Sequence, residues 1–339
     1  MRGACLGFRG EKGASYEDGE RQPAAQDEQH GDGDRPLRRV PCRIHRYFYC
    51  MPPPGAEMPL RTGAYCGVLA RMFAAAPEAG GRAIPENLRL VMQNYALATE
   101  QGYAEEQSGF TLISSGVAYS VFNAAILSEP HVGSPQELES RLAAAGEHYR
   151  ARTMPWSAWL CDSLLSASAK PQTERVARRC GLRWIGTHAG MAASGIAAPR
   201  RKLPTLEYRR VGDAQTRRDF CRLSSRVFEL PSDVATCIYD HERIWSGSLL
   251  SWTGYVNGYC VCMAATGTAA GAIGVYSVAT APEYRGRGYG EAITRHALAE
   301  ARRASGVELT ILHATRAGRP LYERMGYRVH SNVHVFVSV

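Results

Sequence analysis

A stretch near the C-terminal end of the chain places glycine at alternate positions, next to arginines, directly before a predicted helix. It reads Val278-Ala279-Thr280-Ala281-Pro282-Glu283-Tyr284-Arg285-Gly286-Arg287-Gly288-Tyr289-Gly290. Glycine lets a backbone turn tightly and come close to a ligand. The first N–H groups of a helix have no intrahelical partner and lie at the positive end of its dipole. The stretch therefore predicts a phosphate or pyrophosphate site, to which Arg285 and Arg287 add positive charge.

Three other interpretations of this stretch are weaker. A nucleoside-triphosphate loop would end in Gly-Lys-Ser or Gly-Lys-Thr, which is absent here. A dinucleotide site would need GxGxxG and an acidic residue at the far end of the next strand. Gly286 and Gly288 give only GxGxG, and Glu308 opens its strand instead of closing it. The third alternative is a plain helix N-terminus.

Residues 206–339 resemble the GNAT family of acyl-CoA-dependent N-acyltransferases. The Arg-Gly-x-Gly-x-Gly loop matches the coenzyme A signature of the family, and "YSVAT" before it and "PLYERMGY" after it match in order and spacing. The resemblance implies that the backbone of 286–291 holds the pyrophosphate, and that the strand edge at 278–280 binds the pantetheine arm as an added strand would. It also implies that the strand at 309–314 splays away and opens the acyl slot. The implied coenzyme-binding residues are Val278, Ala279, Thr280, Arg285, Gly286, Arg287, Gly288, Tyr289, Gly290 and Glu291.

Tyr322 is the predicted general acid. The implied reaction is attack of an amine on a thioester carbonyl, after which the departing thiolate needs a proton. A phenol pKa of about 10 lies above a thiol pKa of about 8.5, so Tyr322 keeps its proton at pH 7 and can donate it to the thiolate. Leu321 and Met325 form an apolar i, i+4 pair, and Tyr322 lies about 100° from Leu321 around the helix, toward the cleft. The alternative role for Tyr322 is core packing.

The general base is harder to identify from the sequence. Family members often place a carboxylate on the central strands, but residues 244–282 carry no charged side chain. The candidates elsewhere are Asp240, His241, Glu242 and His313, and each of them is also typical of a surface or capping position. A chain of water molecules is a further route for the proton. The acceptor substrate therefore stays open.

The predicted function is that of an acetyl-CoA-dependent N-acetyltransferase, with no metal, which acetylates an amine of a small molecule or peptide by direct attack. The alternative is a non-catalytic acyl-CoA-binding regulatory module, favoured by the missing carboxylate. A nucleic-acid binder using the run Arg200-Arg201-Lys202 is a weaker hypothesis, because the run lacks interleaved aromatic residues and is typical of a solvated hinge. The expected partners are acetyl-CoA and an unidentified amine, with a homodimer to be considered, and neither a membrane nor a nucleic acid.

The 339-residue chain divides into four segments. Residues 1–58 are poor in aliphatic side chains, which predicts a disordered leader. Residues 62–198 predict a mixed α/β domain, residues 199–205 a linker, and residues 206–339 the catalytic domain that binds acyl-CoA. The fold class is α/β (α+β), with a mixed, mostly antiparallel GNAT-like central sheet flanked by helices.

The segment 62–198 also resembles the family, though weakly, in "SGVAYSVFNAAIL" and "RVARRCGLRWIG". Its loop Ser128-Glu129-Pro130-His131-Val132-Gly133 lacks successive glycines and carries an acid where a phosphate would lie. We therefore expect two tandem GNAT-like domains, of which the first has lost its coenzyme site.

Local patterns predict the elements around the loop. A strand at 273–280 precedes it, a helix at 288–305 follows and ends at Gly306, and a short helix at 317–325 carries Tyr322. Two further strands are predicted in 327–339, with a turn near Ser331-Asn332.

Composition excludes several classes of protein. Apolar residues make up 45% and charged residues 21%, which is typical of a globular protein and excludes a disordered or fibrous chain. The uncharged runs at 107–128 and 244–282 are interrupted by Gly, Ser, Thr and Asn, which favours buried strands over membrane spans. The ten cysteines lie singly, without metal-ligand spacing, and no apolar signal segment is visible, so we expect a cytoplasmic location. The net charge of +8 suits an anionic ligand but also simple solubility.

Overall fold

A computed structural model of the protein describes residues 77–129, 132–245 and 247–339. The predicted leader at 1–58 lies outside these residues. In the described part, the helices are α1 (Pro77–Leu97), α2 (Pro135–Arg150), α3 (Thr173–Arg179), α4 (Ala214–Phe228), α5 (Ser232–Tyr239), α6 (Tyr289–Ser305) and α7 (Arg319–Arg324). The strands are β1 (Tyr103–Gln107), β2 (Phe110–Ser114), β3 (Asn123–Leu127), β4 (Ser157–Cys161), β5 (Leu182–Ala193), β6 (Glu207–Arg210), β7 (Leu249–Val256), β8 (Tyr259–Ala269), β9 (Ala272–Thr280), β10 (Thr310–Ala314) and β11 (Arg328–Ser338).

These strands form one sheet of mixed but mostly antiparallel pairing. The strand order is β1-β2-β3-β4-β11-β5-β10-β9-β8-β7-β6. Within the described strands only β3–β4 and β9–β10 are parallel, and the other neighbours are antiparallel. The structure thus has the predicted fold class.

The order of elements repeats along the chain. A set of three antiparallel strands, a helix, a strand, a short helix and a strand occurs first as β1-β2-β3-α2-β4-α3-β5 and again as β7-β8-β9-α6-β10-α7-β11. In each copy the third strand pairs in parallel with the fourth. This repeat agrees with the tandem of two similar units that the sequence predicts.

The two copies exchange their last strands. Strand β11 lies between β4 and β5, and β5 lies between β11 and β10, so each final strand completes the sheet of the other copy. The pairing of β11 with β5 runs from Arg328 opposite Ala192 to Ser338 opposite Leu182. We keep 62–198 and 206–339 as proposed domains and 199–205 as the proposed linker; residues 194–206 contain no helix or strand.

Helices cover both faces of the sheet. Ile113, Ala124 and Ile126 pack under α1, whereas the alternate residues on the same strands pack under α2. Helices α4 and α5 share an apolar cluster with α1, and α6 packs with α7 on the opposite side. We call these sides the α1 face and the α6 face. No helix among the described residues combines the length and the apolar character needed to cross a membrane.

The prediction of two strands in 327–339 is wrong. The segment forms the single strand β11, and the predicted turn at Ser331-Asn332 lies beside a register irregularity between Val329 and Ser331. The chain continues through this point because β5 supplies hydrogen-bonding partners on both sides of it. Strand β1, which no local pattern indicated, is a short edge strand with the polar sequence YAEEQ.

Candidate functional site

Strands β9 and β10 pair at three positions and then separate. The parallel register joins Thr310 with Ile273, Ile311 with Gly274 and Leu312 with Val275. Beyond Leu312, strand β10 stays paired with β5, while β9 continues to Thr280 in its pairing with β8. Within the described sheet, the β10-facing edge of β9 after Val275 therefore has no strand partner. We call this opening the split; it lies where the resemblance implies an acyl slot.

A β-bulge lies on β9 at the split. The register passes from Ala265 opposite Tyr276 to Met263 opposite Ala279, and Ser277 adopts a left-handed backbone with φ of 49°. A bulge adds one residue to its strand and changes which side chains point to each face. Consequently Val275 and Val278 both pack on the α6 face, three residues apart.

The glycine-arginine loop joins this end of β9 to α6. Gly286 and Gly288 have φ of 77° and 92°, a region that residues with a Cβ rarely adopt. Gly288 is the N-cap of α6 and no side chain caps the helix there. The amides of Tyr289 and Gly290 at the start of α6 thus have no intrahelical acceptor. This geometry can receive an anion.

The side chains around the loop add charge to it. Arg285 donates to the carbonyl oxygen of Thr280 at 3.1 Å, and the guanidinium of Arg287 lies 5.7 Å from the centre of the Tyr284 ring. The carboxylate of Glu291 forms an ion pair with Arg295 at 2.8 Å. Because that carboxylate is neutralised by Arg295, it opposes an anion at the helix start only weakly.

The matching helix of the first copy is different. At the start of α2, Ser134 Oγ accepts the N–H of Glu137 at 3.1 Å, and Glu137 Oε2 accepts the N–H of Gly133 at 2.8 Å. The Gly133 hydrogen bond is also the main reason why the pKa of Glu137 is lowered. The sequence pointed to Glu129 as the interfering acid, but Glu129 pairs with Arg141, and Glu137 is the carboxylate at the helix start. The start of α2 is therefore capped by side chains, unlike the start of α6.

Tyr322 lies on the α6 face of the split. Its side chain is buried in an apolar cluster with Val275 and Leu312, the last paired residues of β9 and β10. Its ring centroid is 6.0 Å from that of Tyr327, in an edge-on arrangement. Burial raises the pKa of Tyr322 well above its usual range, with a smaller contribution from Tyr327. Tyr322 is therefore protonated at neutral pH.

Two other aromatic side chains lie at the split on the α1 face. Tyr276 and His313 are the first residues beyond the last β9–β10 pair, and their ring centroids are 6.1 Å apart. Both ring nitrogens of His313 are buried and make no hydrogen bond of normal geometry. Burial, reinforced by neighbouring His188 and opposed by the backbone of Ile84, lowers the pKa of His313 to about 3. His313 is thus an uncharged imidazole at the split.

Asn87 of α1 connects the first copy to this site. The Tyr276 hydroxyl donates to Asn87 Oδ1 at 2.6 Å, and Asn87 Nδ2 lies within 3.1 Å of the carbonyl oxygens of Gly267, Ala269 and Ala272. Asn87 itself is completely buried. A single polar side chain therefore holds α1 against the β8–β9 hairpin and fixes the Tyr276 ring.

The other candidate bases have local partners. Asp240 forms an ion pair with Arg217 at 2.9 Å, and the partly exposed ring of His241 is 2.7 Å from the carbonyl oxygen of Cys237. Glu242 is exposed at the start of a 3₁₀ turn. Of the four candidates, His313 is the one whose contacts lie at the split.

Sequence reasoning did not identify Asn87 or Tyr276 and gave Arg201 to a hinge. Tyr276 directly precedes the bulge residue Ser277 and is the first residue of "YSVAT", so this motif could have identified it. No local pattern could have identified Asn87, because its partners are 180 or more residues away in the chain.

The chain matches known proteins over this site. The family model described as "Acetyltransferase (GNAT) domain" matches residues 240–329, which include the loop and Tyr322. Among solved structures, a GCN5-related N-acetyltransferase from Kribbella flavida aligns with 74% of this chain and 94% of its own, at 17% identity and a TM-score of 0.57. A functionally unknown conserved protein from Staphylococcus epidermidis aligns with 70% of this chain and 94% of its own, at 13% identity and a TM-score of 0.50. At such identities the two structures show the fold alone. No curated protein matches the chain.

Proposed function

We propose that the protein is an acetyl-CoA-dependent N-acetyltransferase that acts on an amine of a small molecule or peptide, and the match of residues 240–329 to the GNAT acetyltransferase model supports this. The observation that carries this proposal is the uncapped start of α6, reached directly from the strand edge that borders the split. The same arrangement supplies backbone donors for a pyrophosphate and an open strand edge for an amide-containing arm. The amine acceptor is unidentified, and a homodimer and a cytoplasmic location remain parts of the proposal.

The residues of the loop and of β9 suit the coenzyme. The amides of 286–291 would bind its pyrophosphate, with Arg285 and Arg287 adding charge. The backbone of Val278, Ala279 and Thr280 would hydrogen-bond its pantetheine arm along the unpaired edge of β9. The thioester would then lie in the split, between Tyr322 on the α6 face and His313 on the α1 face.

The two side chains suit the two proton transfers of the reaction. The amine nitrogen bonds to the carbonyl carbon, the C–S bond breaks, and Tyr322 donates its proton to the leaving sulfur. The attacking nitrogen loses a proton on the opposite face of the sheet, where His313 is uncharged and has vacant lone-pair capacity. With a pKa of about 3, His313 cannot keep this proton at neutral pH, so the proton passes on to water.

The test is release of free thiol from acetyl-CoA in the presence of a panel of small and peptidyl amines. We expect release that depends on one class of amine and is lost in Tyr322→Phe. Tight acetyl-CoA binding without release for any amine, unchanged in Tyr322→Phe, would instead support the non-catalytic binding module. No binding and no release would contradict both.

A further inference from the structure

The linker between the two copies crosses the coenzyme loop. The Ala197 N–H donates to the carbonyl oxygen of Met325 at 2.9 Å, next to the end of α7. Seven residues later, Pro204 lies beside the start of α6, where a Cβ on Gly288 would be 3.2 Å from Pro204 Cδ. The partly buried side chain of Leu203 packs into the apolar cluster under α6. Residues 197–204, which we call the strap, therefore run from the end of α7 to the start of α6.

Arg201 of the strap lies on the loop itself. Its Nη2 donates to the carbonyl oxygen of Gly286 at 3.3 Å and would be 3.4 Å from a Cβ on Gly288. The guanidinium is thus beside the same backbone that presents the uncapped amides of α6. The sequence assigned the run Arg200-Arg201-Lys202 to a solvated hinge, and the structure instead brings its middle residue to the candidate site.

The positive charge of Arg201 at the start of α6 favours binding of an anion there. A helix start carries partial positive charge, so a cation placed there is unfavourable without a counter-charge. The partner of Arg201 is a neutral carbonyl, and Arg285 and Arg287 lie on the same loop. The nearby carboxylates already have cationic partners, since Glu283 pairs with Arg226 at 2.8 Å and also interacts with Arg285, and Glu291 pairs with Arg295 at 2.8 Å. The strap therefore places the guanidinium of Arg201 where positive charge is already concentrated. This planar group can donate two parallel hydrogen bonds to a phosphate.

We propose that Arg201 is a coenzyme-binding residue contributed by the linker, and that its guanidinium binds a phosphate of coenzyme A at the start of α6. This inference rests on the proposed function. The phosphate is either part of the pyrophosphate or the 3′-phosphate of the ribose, and both present the oxygen pairs that a guanidinium binds. The bound coenzyme then contacts both the linker, through Arg201, and the loop.

The experiment is calorimetric titration of the full chain with coenzyme A, comparing the wild type with Arg201→Gln and Arg200→Gln. Both substitutions remove one exposed positive charge from adjacent positions, so they change the long-range field alike. We expect Arg201→Gln to raise the Kd about tenfold and Arg200→Gln to raise it less than about twofold. Equal melting temperatures for the three proteins would show that the fold is unaffected.

The outcomes separate the inference from the proposed function. If the wild type binds coenzyme A and the two variants are equally affected or unaffected, the role of Arg201 is refuted and the coenzyme site stands. If the wild type does not bind coenzyme A, the proposed function fails and the inference fails with it. Titration with dephospho-coenzyme A identifies the phosphate: a persisting Arg201→Gln defect supports contact with the pyrophosphate, and a vanishing defect supports contact with the 3′-phosphate.

Discussion

The rings of Tyr276 and His313 face each other where β9 and β10 separate, with centroids 6.1 Å apart. Each residue is the first beyond the last β9–β10 pair, so both positions follow from the length of the parallel pairing. Tyr322 lies on the other face of the same opening. The split therefore has a buried phenol on one side and an uncharged imidazole on the other.

Gly288→Glu should abolish coenzyme binding. A side chain at this position enters the space beside Arg201 and Pro204 and brings negative charge to the proposed phosphate site. The left-handed backbone also costs about 1–2 kcal/mol for a residue with a Cβ. The matched control is Gly306→Glu, at the opposite end of α6, where φ is 70° and a Cβ meets no atom within 4 Å. Calorimetry should show that binding is lost in the first variant and kept in the second.

Tyr322→Phe should lower kcat by about 10² or more and leave the Kd for coenzyme A unchanged, because the ring stays and the proton donor is lost. The control is Tyr327→Phe, which removes a hydroxyl from an equally buried neighbouring ring. Steady-state kinetics with the amine found in the acceptor screen measure both variants. Equal effects of the two substitutions would mean that Tyr322 only packs.

His313 should make stability depend on pH. Its folded pKa of about 3 lies below the unfolded value of 6.5, so between these values the unfolded chain binds the extra proton. Stability is complete above about pH 6.5 and falls as the pH drops toward 3, by up to about 1.4 kcal/mol per pH unit from this residue.

Urea unfolding at pH 7 and pH 5 measures this dependence. His313→Gln should lose less stability over that interval than the wild type, and His241→Gln, at a partly exposed site, should behave as the wild type does. If His313→Gln and the wild type lose the same stability, the imidazole is not held uncharged by burial.

Asn87→Ala should destabilise the fold by about 2–4 kcal/mol, because the buried carbonyl oxygens of the β8–β9 hairpin and the Tyr276 hydroxyl lose their partner. Asn94→Ala is the control on the same helix; its side chain is exposed and, among the described residues, donates to Ser248 Oγ at 3.3 Å. Urea unfolding should show a change of less than about 0.5 kcal/mol for the control. Equal changes would contradict the role of Asn87 in joining the two copies.

The parts of the site that sequence predicts best are local ones. The loop, its glycines and the start of α6 follow from a contiguous pattern, and Gly306 marks the end of that helix as predicted. Helices α2 and α4 likewise have their N-caps, Ser134 and Asp213, directly adjacent to them in the chain.

The parts that sequence did not predict depend on distant partners. The exchange of β5 and β11 depends on pairing between residues about 140 or more positions apart. The local turn pattern at Ser331-Asn332 therefore predicted two strands, whereas pairing with β5 keeps β11 continuous. Arg201 has the composition of a hinge, and only the path of the strap brings it to Gly286, 85 positions away. The bulge could not be predicted from a glycine, because its left-handed residue is Ser277.

The central claim concerns where the coenzyme phosphates bind, and a crystal structure of the full chain with acetyl-CoA tests it most directly. We predict pyrophosphate oxygens about 3 Å from the backbone nitrogens of residues 286–291 and one coenzyme per chain. Density for the coenzyme at the start of α2, or at any position away from this loop, would contradict the account.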